Sequence, residues 1–340
     1  MSLLSQADRE LGRLDMYSGY VPDIDLFIQM HVVKEANQSS RIEGTQTHIE
    51  EIFQDKQTVN AEKRDDWQEV QNYIEALHTA IGLLQELPIS TRLIKRIHTV
   101  LLQGARGQQK LPGEFRRSQN WIGGASLRDA RFIPPVHNTV GEYMNDLEKF
   151  IHNEALFFPD LLKVALVHYQ FETIHPFLDG NGRLGRLLII LYLVEKQILK
   201  KPVLYLSDFF ERHRTLYYDN LTRVRVNNDI GQWFRFFLTG VIETARNSIT
   251  TFDSILQLKK ETDEKLYKLG ARGQNAQKLV NYLYQNPVVG VRKVKTVVQI
   301  SMPTAYKLID DLQQTGILKP IPSQTRTKQY AFSQYLRLFE

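Results

Sequence analysis

One stretch of the chain combines residue types and spacing that could do chemistry: His175, Pro176, Phe177, Leu178, Asp179, Gly180, Asn181, Gly182, Arg183, Leu184, Gly185 and Arg186, in unbroken order. Gly180 and Gly182 let the backbone turn so that successive amides aim at one spot, an anion-binding nest. A helix starting near Asn181 adds its free amides and the positive end of its dipole. Arg183 and Arg186 stand three apart, so they share one helical face and reach the same phosphates. Asp179 is placed to hold a magnesium ion shared with phosphate oxygens. His175 precedes Pro176, so its helix ends there and the ring projects beside the loop as a general base.

Two other patterns overlap this stretch. Gly180-x-Gly182-x-x-Gly185 matches a dinucleotide-binding fingerprint, with Asp208 further on. That fingerprint needs a strand running into its first glycine, whereas Pro176 and Asp179 intervene here and the flanking period is helical. Glu172-x-x-His175 and Glu75-x-x-His78 match the ligand pair of di-iron bundles, but chance alone gives roughly half such a pair in this composition, so two are weak evidence. Neither pattern accounts for the arginines.

The elements that must position the stretch read as helices. Residues 159–174 carry Leu161, Leu162, Ala165, Leu166 and Tyr169 as one stripe, and residues 183–196 form a strongly apolar helix after Asn181. Further upstream, 65–87 keeps three- and four-residue apolar spacing through Trp67, Val70, Tyr73, Ile74, Leu77, Ile81 and Leu84. Pro88 ends that helix and Ser90 or Thr91 caps the next. Residues 120–135 differ: two short extended pieces around a Gly/Ser/Asp tip predict a hairpin. Residues 246–269 read as a connecting helix with a thin apolar stripe, broken at Gly270 and Gly273. Helices are then expected at 275–285, 291–299 and 304–315. Residues 317–320 and 329–332 would pair around 322–328 as a wing, completing a winged helix-turn-helix.

Composition sets the frame. In 340 residues, 42% are hydrophobic and 24% charged, which is ordinary globular composition and excludes a disordered chain or a fibre. The absence of cysteine excludes disulfides, zinc thiolate sites and a cysteine nucleophile. The N-terminal residues lack the apolar run of a signal peptide, and no run approaches a membrane span, so a soluble cytoplasmic protein without membrane association is expected. The net charge of +5 is uneven: residues 270–340 hold ten basic and three acidic residues. A basic C-terminal module with a nucleic-acid partner is one expectation from that asymmetry. Tyr306, Lys307, Arg326 and Lys328 would supply its contacts, opposed by Asp310 and Asp311.

The twelve-residue stretch resembles, without departure, the His-Pro-Phe-x-Asp-Gly-Asn-Gly-Arg-x-x-Arg signature of the Fic family of protein adenylyltransferases. The resemblance extends over roughly 93–241. It implies a mainly α fold, a Fic-type helical core with a small β-hairpin flap, and use of ATP with magnesium to place AMP on a Ser, Thr or Tyr hydroxyl of a protein. By the same resemblance His175 is the base and Asp179 the magnesium ligand. Gly180, Asn181 and Gly182 form the anion hole, Arg183 contacts phosphate, and Arg186 grips the γ-phosphate. Leu184 and Gly185 belong to the same nucleotide-binding stretch. The hairpin resembles the flap that pairs with a target segment, with Ile122, Gly123, Arg131 and Phe132 nearest the nucleotide, and Tyr217 resembles a tyrosine near the adenosine.

Upstream, Ser39-Ser40-Arg41-Ile42-Glu43-Gly44 resembles the family's inhibitory motif. Ser39 and Glu43 are its implied inhibitory residues: Glu43 would pair with Arg186 and so compete with the γ-phosphate at the ATP site. The division expected from all this is 1–92 as an N-terminal helical region with the inhibitory helix at about 37–50, 93–245 as catalytic core, 246–269 as connecting helix and 270–340 as winged helix. Other readings keep the fold: a de-adenylylase or another phosphate-group transferase, or a nucleotide-sensing DNA-binding regulator without catalysis. A homodimer is left open.

Overall fold

The computed structural model describes residues 2–54, 56–104, 107–321 and 328–339. It is mainly helical. Helix α1 (Leu3–Tyr20) is capped by the Ser2 hydroxyl and lies along a much later helix, and α2 (Ile24–Ile42) follows, buried on most sides. The inhibitory segment expected as one helix over about 37–50 is divided. Helix α2 stops at Ile42, Glu43 is its cap residue, and Gly44 at φ +109° breaks the run. A short α3 (Ile49–Ile52) follows, then α4 (Arg64–Leu83), which ends ahead of Pro88.

Helix α5 (Thr91–Leu101) starts where expected, with Ser90 Oγ accepting from Leu93 N at 3.3 Å. After the flap come α6 (Val140–His152), α7 (Asp160–Ile174), α8 (Asn181–Glu195), α9 (Ser207–Arg212) and α10 (Arg214–Asn227). Beyond Arg186, helix α8 is apolar all round, and it is buried along nearly its whole length, as expected for the central helix of a bundle. The flap is slighter than a hairpin. One antiparallel bridge, Ile122 to Phe132, is its ladder, with Gly123 and Gly124 at positive φ just beyond.

Helix α11 (Ile230–Tyr267) corrects the expected connecting helix at 246–269, because it runs unbroken across the 245/246 boundary. Its buried face continues from Trp233 and Phe237 through Val241, Ala245, Phe252, Ile255 and Leu266, and α1 packs along it. The polar exposed face of its second half is what makes that half resemble a separate element in sequence.

Beyond a tight turn at Gly270–Arg272 lie α12 (Gly273–Leu283), β1 (Val288–Gly290), α13 (Val291–Val298), α14 (Met302–Gln314), β2 (Lys319–Ile321), β3 (Gln329–Ala331) and α15 (Ser333–Leu336). The strands form an antiparallel sheet in the order β1-β3-β2, with Tyr330 opposite both Val289 and Pro320. Strand β1 has no counterpart in the sequence reading, being three residues long and without alternation. The expected wing tip, with Arg326, lies outside the described residues. Phe339 closes this module against α2, with its ring 5.1 Å from that of His31.

Candidate active site

The loop between α7 and α8 is built by its own backbone. His175 ends α7 in the left-handed region (φ 49°) while its N–H still bonds Phe171 O at 2.9 Å, and Pro176 forbids another turn. Gly180 at φ 76° then opens α8. Asn181 ties the two ends together: its Oδ1 accepts from Phe177 N and its Nδ2 donates to Phe177 O, both at 2.9 Å. The Asn181 side chain therefore braces the loop.

Two residues that the sequence reading missed hold this loop from outside. Arg116, 2% exposed, donates through Nε to His175 O at 2.9 Å and through its Nη atoms to carbonyls of Ser118, Pro135 and Ile174. It ties the flap stem to the end of α7. His98, fully buried, accepts from Gly113 N at Nδ1 (2.8 Å), so its Nε2–H donates to Asp179 O (3.0 Å). Its ring stacks on Phe177 at 3.7 Å, and burial depresses its pKa to about 4. Both lie far from the motif in sequence, and nothing in their local pattern signals the contact.

The catalytic candidate is neutral. Burial lowers the His175 pKa to about 4, partly opposed by Glu43, and Nδ1 has no partner among the described residues. A neutral imidazole can take a proton. Nearby Glu172, 6% exposed, is pushed by burial to about 7, and Arg186 only partly offsets this.

Both arginines of the motif are buried and held by carboxylates. Arg183 donates through Nη1 to Glu69 at 3.1 Å and through Nη2 to Asp179 at 3.4 Å. Arg186 donates through Nε to Ser39 Oγ (2.8 Å), and through Nη2 to Ser39 O (2.8 Å) and Glu43 Oε1 (2.7 Å). Burial pushes the Glu43 carboxyl up, but the charges of Arg186 and Arg183 and the Arg186 hydrogen bond outweigh it and hold the carboxyl below its ordinary value. A Cβ on Gly182 would collide with Glu43 Oε1, so the carboxylate rests on bare backbone at the start of α8. That is the position the helix dipole and loop amides favour for an anion.

Other expected contacts change character. Leu184 is fully buried and packs into the core, and a Cβ on Gly185 would lie 2.5 Å from Glu172 Oε1. Gly185 thus serves close packing of α8 on α7. Tyr217 corrects its expected place at the adenosine: it is 1% exposed, stacked on Phe210 at 4.6 Å, with its OH bonded to His168 Nε2 at 2.8 Å. Its aromatic ring satisfies the core. On the flap, Gly123 and Arg131 are exposed, with the Arg131 side chain lying where a Cβ on Gly123 would point, and Ile122 and Phe132 are half-buried. Phe132 lies under Arg225, 3.7 Å from the guanidinium to the ring centre.

Among the described residues no group of three or more His, Cys, Asp or Glu side chains could hold a metal ion. Asp179, with 46% of its side chain exposed, suits a different arrangement, in which magnesium takes one carboxylate plus substrate phosphates and water.

Models of the Fic/DOC family match this chain twice, the N-terminal model over residues 1–82 and the Fic/DOC model over 88–193. The chain belongs to the Fic/DOC family. This Fic chain is 36% identical over 125 residues to the protein adenylyltransferase Fic of Aedes aegypti, across 36% of its own length. It is 29% identical over 153 residues to the protein of the same name in Drosophila melanogaster, across 44% of its length. The matches span only 22% and 29% of those relatives. Among solved structures, a Fic family protein from Desulfovibrio desulfuricans G20 superposes with a TM-score of 0.61 over 97% of this chain and 96% of that one, at 17% identity. Fic-1 of C. elegans superposes with a TM-score of 0.52 over 76% of this chain and 72% of that one, at 19% identity. Those two similarities concern the fold.

Proposed function

We propose that this chain is an autoinhibited protein adenylyltransferase that moves AMP from ATP to a hydroxyl of a protein, itself included. The observation that carries the reading is the Glu43 carboxylate, bonded to Arg186 and seated on the α8 N-terminus beside an intact motif. Such a site binds phosphate when the carboxylate leaves. The target hydroxyl oxygen would attack the α-phosphorus in line, its proton passing to neutral His175 while the bond to the pyrophosphate oxygen breaks. Arg183, Arg186 and the loop amides take up the charge on the phosphates. Asp179 would hold magnesium, whose charge would help neutralise the leaving pyrophosphate. The half-formed flap leaves backbone groups around its single bridge for an extended target segment to pair with.

Label from α-³²P-ATP appearing on protein, with none from γ-³²P-ATP, is the expected result. Label from the γ-position would make the chain a kinase-like transferase, and label from neither would leave a nucleotide sensor.

A second role is proposed for the C-terminal module as a winged helix that binds nucleic acid. The order helix, strand, two helices and two strands supports it, as do exposed Arg292, Lys293, Lys295, Tyr306 and Lys307 on α13 and α14. Asp311 does not oppose that surface, because it is buried against Arg272 Nη1 at 2.6 Å. Reversing Lys293, Lys295 and Lys307 to Glu should abolish salt-dependent binding of duplex DNA by the full chain. Unchanged binding would end this reading. No described helix is long and apolar enough to cross a membrane.

A further inference from the structure

We infer that Glu69 is a positioning residue for Arg183, so that the N-terminal region supplies a part of the nucleotide site as well as its brake. The inference rests on the adenylyltransferase reading for its kinetic readout, though not for its binding readout.

Arg183 is 3% exposed and lies between carboxylates from two elements. Glu69 on α4 takes Nη1 at 3.1 Å and is 24% exposed, whereas Asp179 takes Nη2 at 3.4 Å and is 46% exposed. Glu69 is the closer and better shielded of the two. A guanidinium this deeply buried keeps one orientation only if its donors meet fixed acceptors, and its Nε has no partner among the described residues. Asp179, the residue proposed to face a cation, is the less constant anchor. Glu69 is left to set where the fork points.

Glu69 differs from Glu43 in where it stands. The atoms nearest a Cβ on Gly182 are Glu43 Oε1, Arg186 Nη1 and Glu43 Cδ. Glu43 thus occupies the anion position itself, while Glu69 reaches a different arginine, from α4. Both belong to the segment matched by the Fic/DOC N-terminal model. One N-terminal region therefore carries two carboxylates of opposite effect, one masking an arginine and one aiming an arginine. Removing the region as a whole would release the brake and spoil the site together.

The test uses the full chain with Glu43→Gly as background. Glu69→Ala should weaken ATP binding about tenfold by calorimetry, the scale of one misaligned charge-assisted contact. The KM for ATP in AMP transfer should rise in parallel, with kcat held within about twofold. Glu69→Gln keeps an acceptor for Nη1 and should restore most of the affinity. With Glu43 intact, Glu69→Ala should not activate. Tighter ATP binding or activation by Glu69→Ala would make Glu69 a second mask, and unchanged affinity would make the pair an idle contact. Failure of Glu69→Gln to rescue, with a fall in Tm equal to that of Ala, would make its role purely structural. Each of these overturns the inference. If no variant transfers AMP, the adenylyltransferase reading fails, while the ATP affinities still decide the role of Glu69.

Discussion

Glu43 and Gly182 come together so closely that the carboxylate occupies the place a side chain at residue 182 would take, with Oε1 inside the space of that Cβ. They are far apart in sequence, one capping α2 and the other in the first turn of α8. The absence of a side chain at 182 opens the anion position, and in this structure a carboxylate fills it. The proposed inhibition would be reversible on that geometry, because the arginine that holds the carboxylate is also placed to hold a phosphate.

Glu43→Gly should raise adenylylation at least about tenfold, since a charge-assisted arginine contact is worth about 1.5–3 kcal/mol. Circular dichroism should show the fold unchanged, because Glu43 follows the last turn of α2. Arg186→Ala should lower activity alone and cancel the gain. A double variant as fast as Glu43→Gly would show that the brake acts elsewhere.

His175→Ala should remove AMP transfer by a factor of about 10²–10⁴ while leaving ATP affinity nearly intact. In the proposed mechanism phosphate affinity resides in the arginines and the amides, and the imidazole acts on the hydroxyl. Equal losses in affinity, by calorimetry, and in rate, by gel assay, would count against the base assignment.

Gly185→Ala should destabilise the chain by about 1–3 kcal/mol through overpacking, because its Cβ meets Glu172 Oε1 at 2.5 Å and Phe171 Cδ1 at 3.2 Å. Denaturant midpoints at constant slope would measure it. An unchanged midpoint would mean that α7 and α8 separate freely.

Acid should weaken the fold before ordinary carboxylates titrate. His31, His98, His168 and His175 have pKa values depressed by burial to about 3, 4, 3 and 4. Their unfolded forms take protons near pH 6.5 while the folded forms do not. The stability they contribute is thus whole above that pH and falls as pH drops toward 4, at about 1.4 kcal/mol per unit for each. Glu172, raised by burial to about 7, works against this, since the folded state binds its proton first, and Glu35, also raised, does the same. Four imidazoles exceed these two and Asp8, whose carboxyl burial also raises, so urea stability should be lower at pH 5 than at pH 7.5. A flat or rising profile would show that these imidazoles are not held neutral.

Local chemistry in the sequence is sufficient for the loop between α7 and α8, the Ser90 cap and the α7 and α8 helices. A proline, a positive-φ glycine and apolar spacing act within a few residues, so their meaning survives without a fold. The pairing of Glu43 with Arg186 is likewise legible, though only through resemblance to a family motif, whereas the Ser39 bonds to Arg186 emerge only in the fold.

Tertiary structure decided the rest. Tyr217 has the sequence context of a nucleotide contact, and packing placed it in the core, because its hydroxyl finds His168 and its ring finds Phe210. Arg116, His98 and Glu69 carry no local signal, yet Arg116 and His98 hold the loop between α7 and α8 and Glu69 holds Arg183 in the first turn of α8. Helix α11 runs through an expected boundary because α1 and the C-terminal module cover its second half as the core covers its first. Which partner satisfies a buried charge depends on which chain segments meet in space, and residue order alone does not contain that information.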